Sequence, residues 1–304
     1  MWKDLENFLH YLKTERRYSN YTTQSYETDL NQFIHYLEDR DSKHKVAANI
    51  VDKKDIRRFI EELYLYGLNK RSISRKLSAI KSFFKYLQRI HVIKHNPVLE
   101  IHSPKLDKPL PTVLDEEEVR KLMDLPDETT FLGLRDRAIL ELLYGCGIRL
   151  GELLQLKMKQ IHLPSHYILV EGKRQKERIL PLGQFASEAL TPYFEKRREV
   201  IREKGESDRV FLTPKGKPLY PLAVQQMVKK YLQKISEQDH LSPHVLRHSY
   251  ATHLLDHGAD LLAVKELLGH SSLSTTQIYT HVSMDRLKSV YQKAHPRSER
   301  DVYK

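Results

Sequence analysis

Cysteine is all but missing: Cys146 is the only one among 304 residues. That excludes an internal disulfide framework and any cysteine-based zinc site, and it suits a reducing cytosol. Long apolar runs are missing as well. No stretch approaches the roughly 18 consecutive apolar residues that a membrane helix needs. The opening MWKDLENFLHYLKTERRYSN carries acids from Asp4 onward and lacks the continuous apolar core of a signal peptide. A cytoplasmic protein with no membrane partner is therefore expected. There is no phosphate-cradling glycine loop, no repeat of 20–50 residues and no low-complexity tract.

Negative charge is also in short supply. Lys and Arg number 51 against 40 Asp and Glu, a formal net charge of +11. Such a balance favours a polyanionic partner, nucleic acid ahead of an anionic membrane. Hydrophobic residues make up 40%, enough for two cores in a chain whose length fits about two domains.

The first hundred residues read as four helices. Leu5, Phe8, Leu9 and Leu12 form one apolar stripe at helical spacing. Ser19, Thr22 or Thr23 can cap a second helix carrying Tyr26, Leu30, Phe33, Ile34 and Leu37. A third starts at Asp52 and runs to Gly67, a natural C-cap, and a fourth spans about Arg71 to Ile90. The segment His102–Pro111 holds three prolines and no periodicity, and reads as a linker. Beyond it, Glu116 to Met123 begins a helix with acids at its positive end. Leu134 to Leu143 is an apolar helix broken by Gly145 and Gly147. Two β-rich runs, 166–170 and 177–181, flank a basic turn that starts at Gly172, which is a hairpin signal. Helices resume after Gln184.

Two regions carry chemistry. From Lys70 to Lys94 there are eight Lys or Arg and no acid. Ile73, Leu77, Ile80, Phe84 and Leu87 share one face of this helix, and Arg71, Arg75, Lys85 and Arg89 share the opposite one with Ser78 and Ser82. Cations and hydroxyls interleaved on one face suit a phosphate backbone. Ordinary outer faces mix signs instead. The second region is Pro243–Leu255, where His244 and Arg247 lie three apart near a helix start. Gly258 and Gly269 close successive helices, and His270 follows at once, with Tyr279 one cap further on. Two His and an Arg near helix ends make a phosphate cradle, with a Tyr in reach as nucleophile. His244/His248 and His253/His257 are spaced like helical metal ligands, but no Cys or placed acid completes a zinc set. No metal site is expected. Cys146, among apolar residues, reads as a buried small hydrophobe.

At these residues the chain resembles a known family. His244-x-x-Arg247, Leu267-Leu268-Gly269-His270 and Thr276-x-x-Tyr279 closely resemble the catalytic box of tyrosine recombinases, the phage-integrase family. Gly147-Ile148-Arg149-Leu150-Gly151-Glu152-Leu153 resembles its first-arginine motif, and Gly172-Lys173-x-x-Lys176-x-Arg178 its hairpin lysine motif. The chain departs from the pattern at Arg174, where a second Gly is frequent, and at Leu150-Gly151, where Val-Ser is. Length, the compact first domain and the ending Ala294-His295-Pro296-Arg297 look most like the Xer branch. That ending, with Thr276-Gln277-Ile278-Tyr279, leans towards the XerC rather than the XerD type.

The resemblance implies a mainly α fold. Residues 1–101 would form a helical, SAM-like four-helix core-binding domain that binds DNA, and 102–111 a linker. Residues 112–304 would form an α-rich catalytic domain of the DNA breaking-rejoining fold, with a small antiparallel β-hairpin and a C-terminal docking tail. It implies site-specific recombination through a 3′-phosphotyrosyl intermediate, without metal, ATP or other cofactor, serving resolution of chromosome dimers at cell division. The implied roles are Tyr279 as nucleophile, Arg149, Arg247 and His270 on the phosphate, Lys173 as general acid and His244 in proton transfer. Glu152 would orient Arg149 or pack structurally. Implied partners are double-stranded DNA with a dif-like core site, a partner Xer recombinase in a cyclic heterotetramer, and the DNA translocase FtsK as a further candidate.

Other readings stand beside this one. An integrase or transposon recombinase shares the chemistry but usually carries an extra arm-binding domain, and a type IB topoisomerase needs no synapsis. A non-catalytic DNA-binding regulator would not need all six residues. After the nucleophile, Met284, Leu287, Val290 and Tyr291 recur at three and four, predicting a short amphipathic helix over 283–292. A helix this short is marginal alone, and the family resemblance favours docking on a neighbouring protomer over docking in cis.

Overall fold

A computed structural model of the chain describes residues 1–40, 46–105, 112–172, 177–205, 207–238, 241–269 and 281–298. It divides into two compact units, Met1–Pro109 and Leu110–Lys304.

The first unit is four helices around an apolar core: α1 (Trp2–Thr14), α2 (Asn20–Arg40), α3 (Lys53–Leu65) and α4 (Lys70–Arg89). The last three start where a side-chain cap satisfies orphan amides. The Ser19 hydroxyl accepts from the Thr22 amide, Asp52 and Asp55 form a capping box, and Asn69 accepts from Ser72 N. The expected apolar face of α4 is buried throughout and meets Phe8, Phe33 and Phe59 from the other helices. At about 1.5–3 kcal/mol per buried large side chain, this face holds the bundle. Lys76 is the exception: it lies on the core side of α4 and is 7% exposed.

The second unit is built on α6 (Phe131–Gly145), which is buried along nearly its whole length from Gly133 onward. Against it pack α8 (Gln184–Lys204) and α10 (Pro243–Asp256). The remaining helices are α5 (Glu116–Met123), α7 (Leu150–Gln155), α9 (Pro221–Leu232), α11 (Leu261–Leu268) and α12 (His281–Ala294). The expected hairpin is β2 (Tyr167–Glu171) paired antiparallel with β3 (Glu177–Pro181), in register Ile168↔Leu180 and Val170↔Arg178. A short third strand, β1 (Ile161–His162), adds to β2. The hairpin tip 173–176 is outside the described residues. Cys146 is buried in this core, and burial raises its thiol pKa far above the ordinary value. Among the described residues, no helix is long and apolar enough to cross a membrane.

In the single chain, the C-terminal helix α12 packs in cis on its own catalytic unit, against α10, α11 and β3. Leu287, Tyr291 and Ala294 are buried in the core and Val290 is half-buried. The side chain of Met284 is outside the described residues. The physical reason is a fitted recess. A Cβ at Gly183 would lie 2.3 Å from the Tyr291 hydroxyl, so the glycine makes room for the ring. Beyond the helix, Arg297 forms a two-pronged ion pair with Glu141 of α6, whose carboxylate is fully buried.

Candidate active site

Two turns aim the site. Gly147 has φ +57° and a Cβ there would meet the Tyr250 ring at 2.5 Å, so only glycine fits on both counts. This turn delivers Arg149 to the N-cap of α7, where the Glu152 carboxylate accepts from the Arg149 amide at 2.8 Å. Gly269, at φ +63°, ends α11 in the left-handed conformation.

At the C-terminus of α11 three guanidiniums converge on three successive carbonyls. Arg178 Nε donates to Leu267 O at 3.2 Å, Arg247 Nη2 donates to Leu268 O, and Arg149 Nη2 donates to Gly269 O at 3.0 Å. Arg247 also donates to Gly147 O, which joins the two turns. Among the described residues, Glu152 is the one carboxylate paired with them. Its two oxygens accept from Arg178 Nη1 and Nη2 at 2.7 and 2.9 Å, and Oε1 also accepts from Arg149 Nη1 at 2.9 Å. Glu152 thus orients Arg149, one of the two roles expected for it.

Burial alone would raise the Glu152 pKa, but the bonds from Arg178 and Arg149 prevail and hold it below the ordinary value. Arg247 is pushed down to about 10, by burial first and then by the charges of Arg149 and Arg178. It remains cationic at neutral pH. Three positive charges against one negative leave a site that favours an anion, and Arg149 is its most open member, with 37% of its side chain exposed. Arginine suits the task because its planar fork can hold a carbonyl and still present further donors to a phosphate.

Of the six expected reaction residues, Arg149 and Arg247 are brought together here. His244 is exposed on the first turn of α10, one turn before Arg247. Lys173, His270 and Tyr279 are outside the described residues. Arg178 was noted only as part of a motif, and its place in the site was missed. A signal was available: on β3 it shares a face with buried Leu180, where an arginine must find a partner. Among the described residues no cluster of three potential metal ligands occurs. His253, one of the four-spaced histidines, is buried with its Nδ1 2.8 Å from the Tyr144 hydroxyl.

In the first unit, Arg71 and Lys85 are exposed on α4. The expectation that every charge on this helix repels its neighbours needs revision, because other helices supply the acids. Asp29 of α2, fully buried, accepts from Arg75 and from Lys76, the latter at 3.0 Å. Arg89 lies 4.1 Å above the Tyr11 ring and 3.6 Å from Glu15 of the residues following α1. Arg75 is thus tied to a buried partner, whereas an exposed pair such as Arg89–Glu15 exchanges readily for another anion.

Comparison with known proteins agrees with this geometry. Residues 112–286 match the model of the phage integrase family, and residues 5–91 match the phage integrase N-terminal SAM-like domain. A tyrosine recombinase XerC of Chlorobaculum parvum is 43% identical over 315 residues, covering 96% of this chain and 94% of the relative. A tyrosine recombinase XerD of Listeria monocytogenes is 42% identical, covering 97% and 99%. Among solved structures, the XerH site-specific recombinase bound to its difH substrate matches in fold, with TM-score 0.65 and 22% identity, covering 95% of this chain and 82% of that one. Similarity of this depth along nearly the whole length places the chain in the phage integrase family, the tyrosine recombinases, as an enzyme that cleaves and rejoins DNA strands.

Proposed function

We infer that the chain is one member of a pair of Xer recombinases, of the XerC type, that resolves chromosome dimers to monomers at cell division. In this reading residues 1–101 bind the core of a dif-like duplex site, 102–111 link, and 112–304 carry out the chemistry within a cyclic heterotetramer in the cytoplasm, with FtsK as the accessory translocase. Supporting it are curated relatives of both Xer types at nearly equal identity, with the sequence before Tyr279 and the Ala294–Arg297 ending favouring XerC.

The observation that carries the chemistry is the convergence of Arg149 and Arg247 on adjacent carbonyls at the end of α11. Their remaining N–H donors would hold the non-bridging oxygens of a backbone phosphate. The Tyr279 hydroxyl oxygen attacks phosphorus, the bond to the 5′-oxygen breaks, and the 3′-phosphate stays on the tyrosine. Lys173 protonates the departing 5′-oxygen, His244 assists proton transfer at the nucleophile, and His270 adds a donor. Each aimed donor is worth about 3–4 kcal/mol, or roughly a hundred- to thousandfold in rate. The phosphotyrosyl ester conserves the energy for religation, so no ATP is used. In the first unit, Arg71, Arg75, Lys85 and Arg89 contact DNA phosphates.

Suicide substrates containing candidate core sites, incubated with and without a second recombinase, test this reading. Covalent adducts are expected from the native chain, undiminished by chelator, and none from Tyr279→Phe, which retains site binding. Undiminished adducts in Tyr279→Phe, or cleavage strictly dependent on a divalent ion, would refute it.

A further inference from the structure

Among the described residues, Arg178 is the one buried cation at this site to which the proposed reaction gives no task. It sits on β3, 6% exposed, beside buried Leu180 on the same face and opposite buried Val170 of β2. A guanidinium in such a place is tolerated only when paired and hydrogen-bonded. Arg178 satisfies both conditions, gripping both Glu152 oxygens and donating to Leu267 O.

The consequence is electrostatic. Glu152 accepts from the backbone and side chain of Arg149 and so fixes the arginine nearest to solvent. Taken alone, a carboxylate doing this would cancel the charge of the arginine it orients. A phosphate arriving at Arg149 would meet an ion pair, and the site would keep only the charge of Arg247. With Arg178 paired to both of its oxygens, the carboxylate is neutralised while its hydrogen bonds to Arg149 persist. We propose that Arg178 is a positioning residue that offsets the charge of Glu152, so that Glu152 can orient Arg149 without cancelling its pull on the scissile phosphate. The proposal rests on the reading that Arg149 holds the phosphate.

The test compares single-turnover cleavage of a suicide substrate at saturating protein for Arg178→Gln, Glu152→Gln/Arg178→Gln and the native chain. Half-site affinity and thermal unfolding are measured on each. An uncompensated carboxylate about 6 Å from the phosphate, at an effective dielectric of about 20, slows cleavage about a hundredfold. Arg178→Gln is expected to show that loss at saturating protein, with half-site affinity weakened in the same direction, because the bound diester already carries a negative charge. The double variant restores the charge balance, and its glutamine oxygen still accepts from Arg149, so cleavage returns to within about tenfold of native. A double variant as slow as Arg178→Gln would overturn the proposal and reduce Arg178 to a support for the hairpin. If Arg178→Gln does not fold, Arg178→Lys replaces it: charge without the two-pronged grip should keep cleavage within tenfold, and a hundredfold loss overturns the proposal. Absence of adducts from the native chain would instead refute the underlying reading.

Discussion

Docking of α12 in cis makes a prediction that separates intramolecular from intermolecular burial. Tyr291 is 3% exposed, stacks on His295 at 4.7 Å between centroids, and fills the recess opened by Gly183. Removing a buried aromatic ring costs about 3–5 kcal/mol. In a unit the size of Leu110–Lys304, each kcal/mol lowers the melting temperature by about 3 °C. Tyr291→Ala should therefore melt about 12 °C lower than the native chain. The native melting temperature should also be independent of concentration, because a helix docked on its own unit has no partner to lose by dilution. A helix docked on a second protomer would forfeit about 2.7 kcal/mol on hundredfold dilution, a fall near 8 °C. Scanning calorimetry of both proteins across that range decides. A melting temperature that rises with concentration, or a Tyr291→Ala shift under about 3 °C, would refute docking in cis.

Three further outcomes are expected. Lys173→Ala should not cleave normal DNA but should regain activity on a 5′-bridging phosphorothiolate, whose sulfur leaves without a proton; no rescue would mean Lys173 only positions the phosphate. Lys85→Ala/Arg89→Ala should lower the slope of log K against log salt by about 1.8, at about 0.9 per lost phosphate contact. Adding Arg75→Ala should lower it by less than another 0.9, since Arg75 is shared with Asp29; an unchanged slope would show that this face is merely solvated. His295 is buried and its pKa is pushed down to about 3, chiefly by that burial. Between about pH 6.5 and 3 the unfolded chain takes up a proton there that the folded chain refuses, so stability is full above this window and falls as pH drops, by up to about 1.4 kcal/mol per unit. His295→Phe should show a correspondingly shallower acid limb in denaturant titrations, and parallel limbs would exclude His295 as its source.

The local elements were legible because their causes are local. Apolar spacing alone marked the buried face of α4, and Asp52 and the glycines at 147 and 269 marked a helix start and two turns. Partners were not legible. Nothing in the run 70–94 reveals that Asp29, some 46 residues earlier, lies buried under Arg75 and Lys76. Nothing near Glu152 reveals Arg178, which reaches it only because β3 folds back along β2. Periodicity likewise dictates that α12 must dock. Its acceptor depends on a recess made by Gly183, a hundred residues away in the chain, which no spacing rule encodes.

The arrangement at the end of α11 resolves a conflict inherent in any phosphate site. Cations must be held rigidly if they are to be aimed, yet an acidic partner that holds them weakens their hold on phosphate. Backbone carbonyls are partners without a formal charge. The last turn of a helix has carbonyls with no intrahelical donor, at the negative end of its dipole. Leu267, Leu268 and Gly269 each present one, and each takes one arginine. Gly269 allows the turn that aims the last of them, and a Cβ there would crowd Arg178 at 3.0 Å. Lysine could not substitute, because an ammonium bound to a carbonyl offers no planar second edge to the phosphate. The helix end thus orients three charges while neutralising none, and the single carboxylate is shared between Arg178, which grips both its oxygens, and Arg149, which stands most open to solvent.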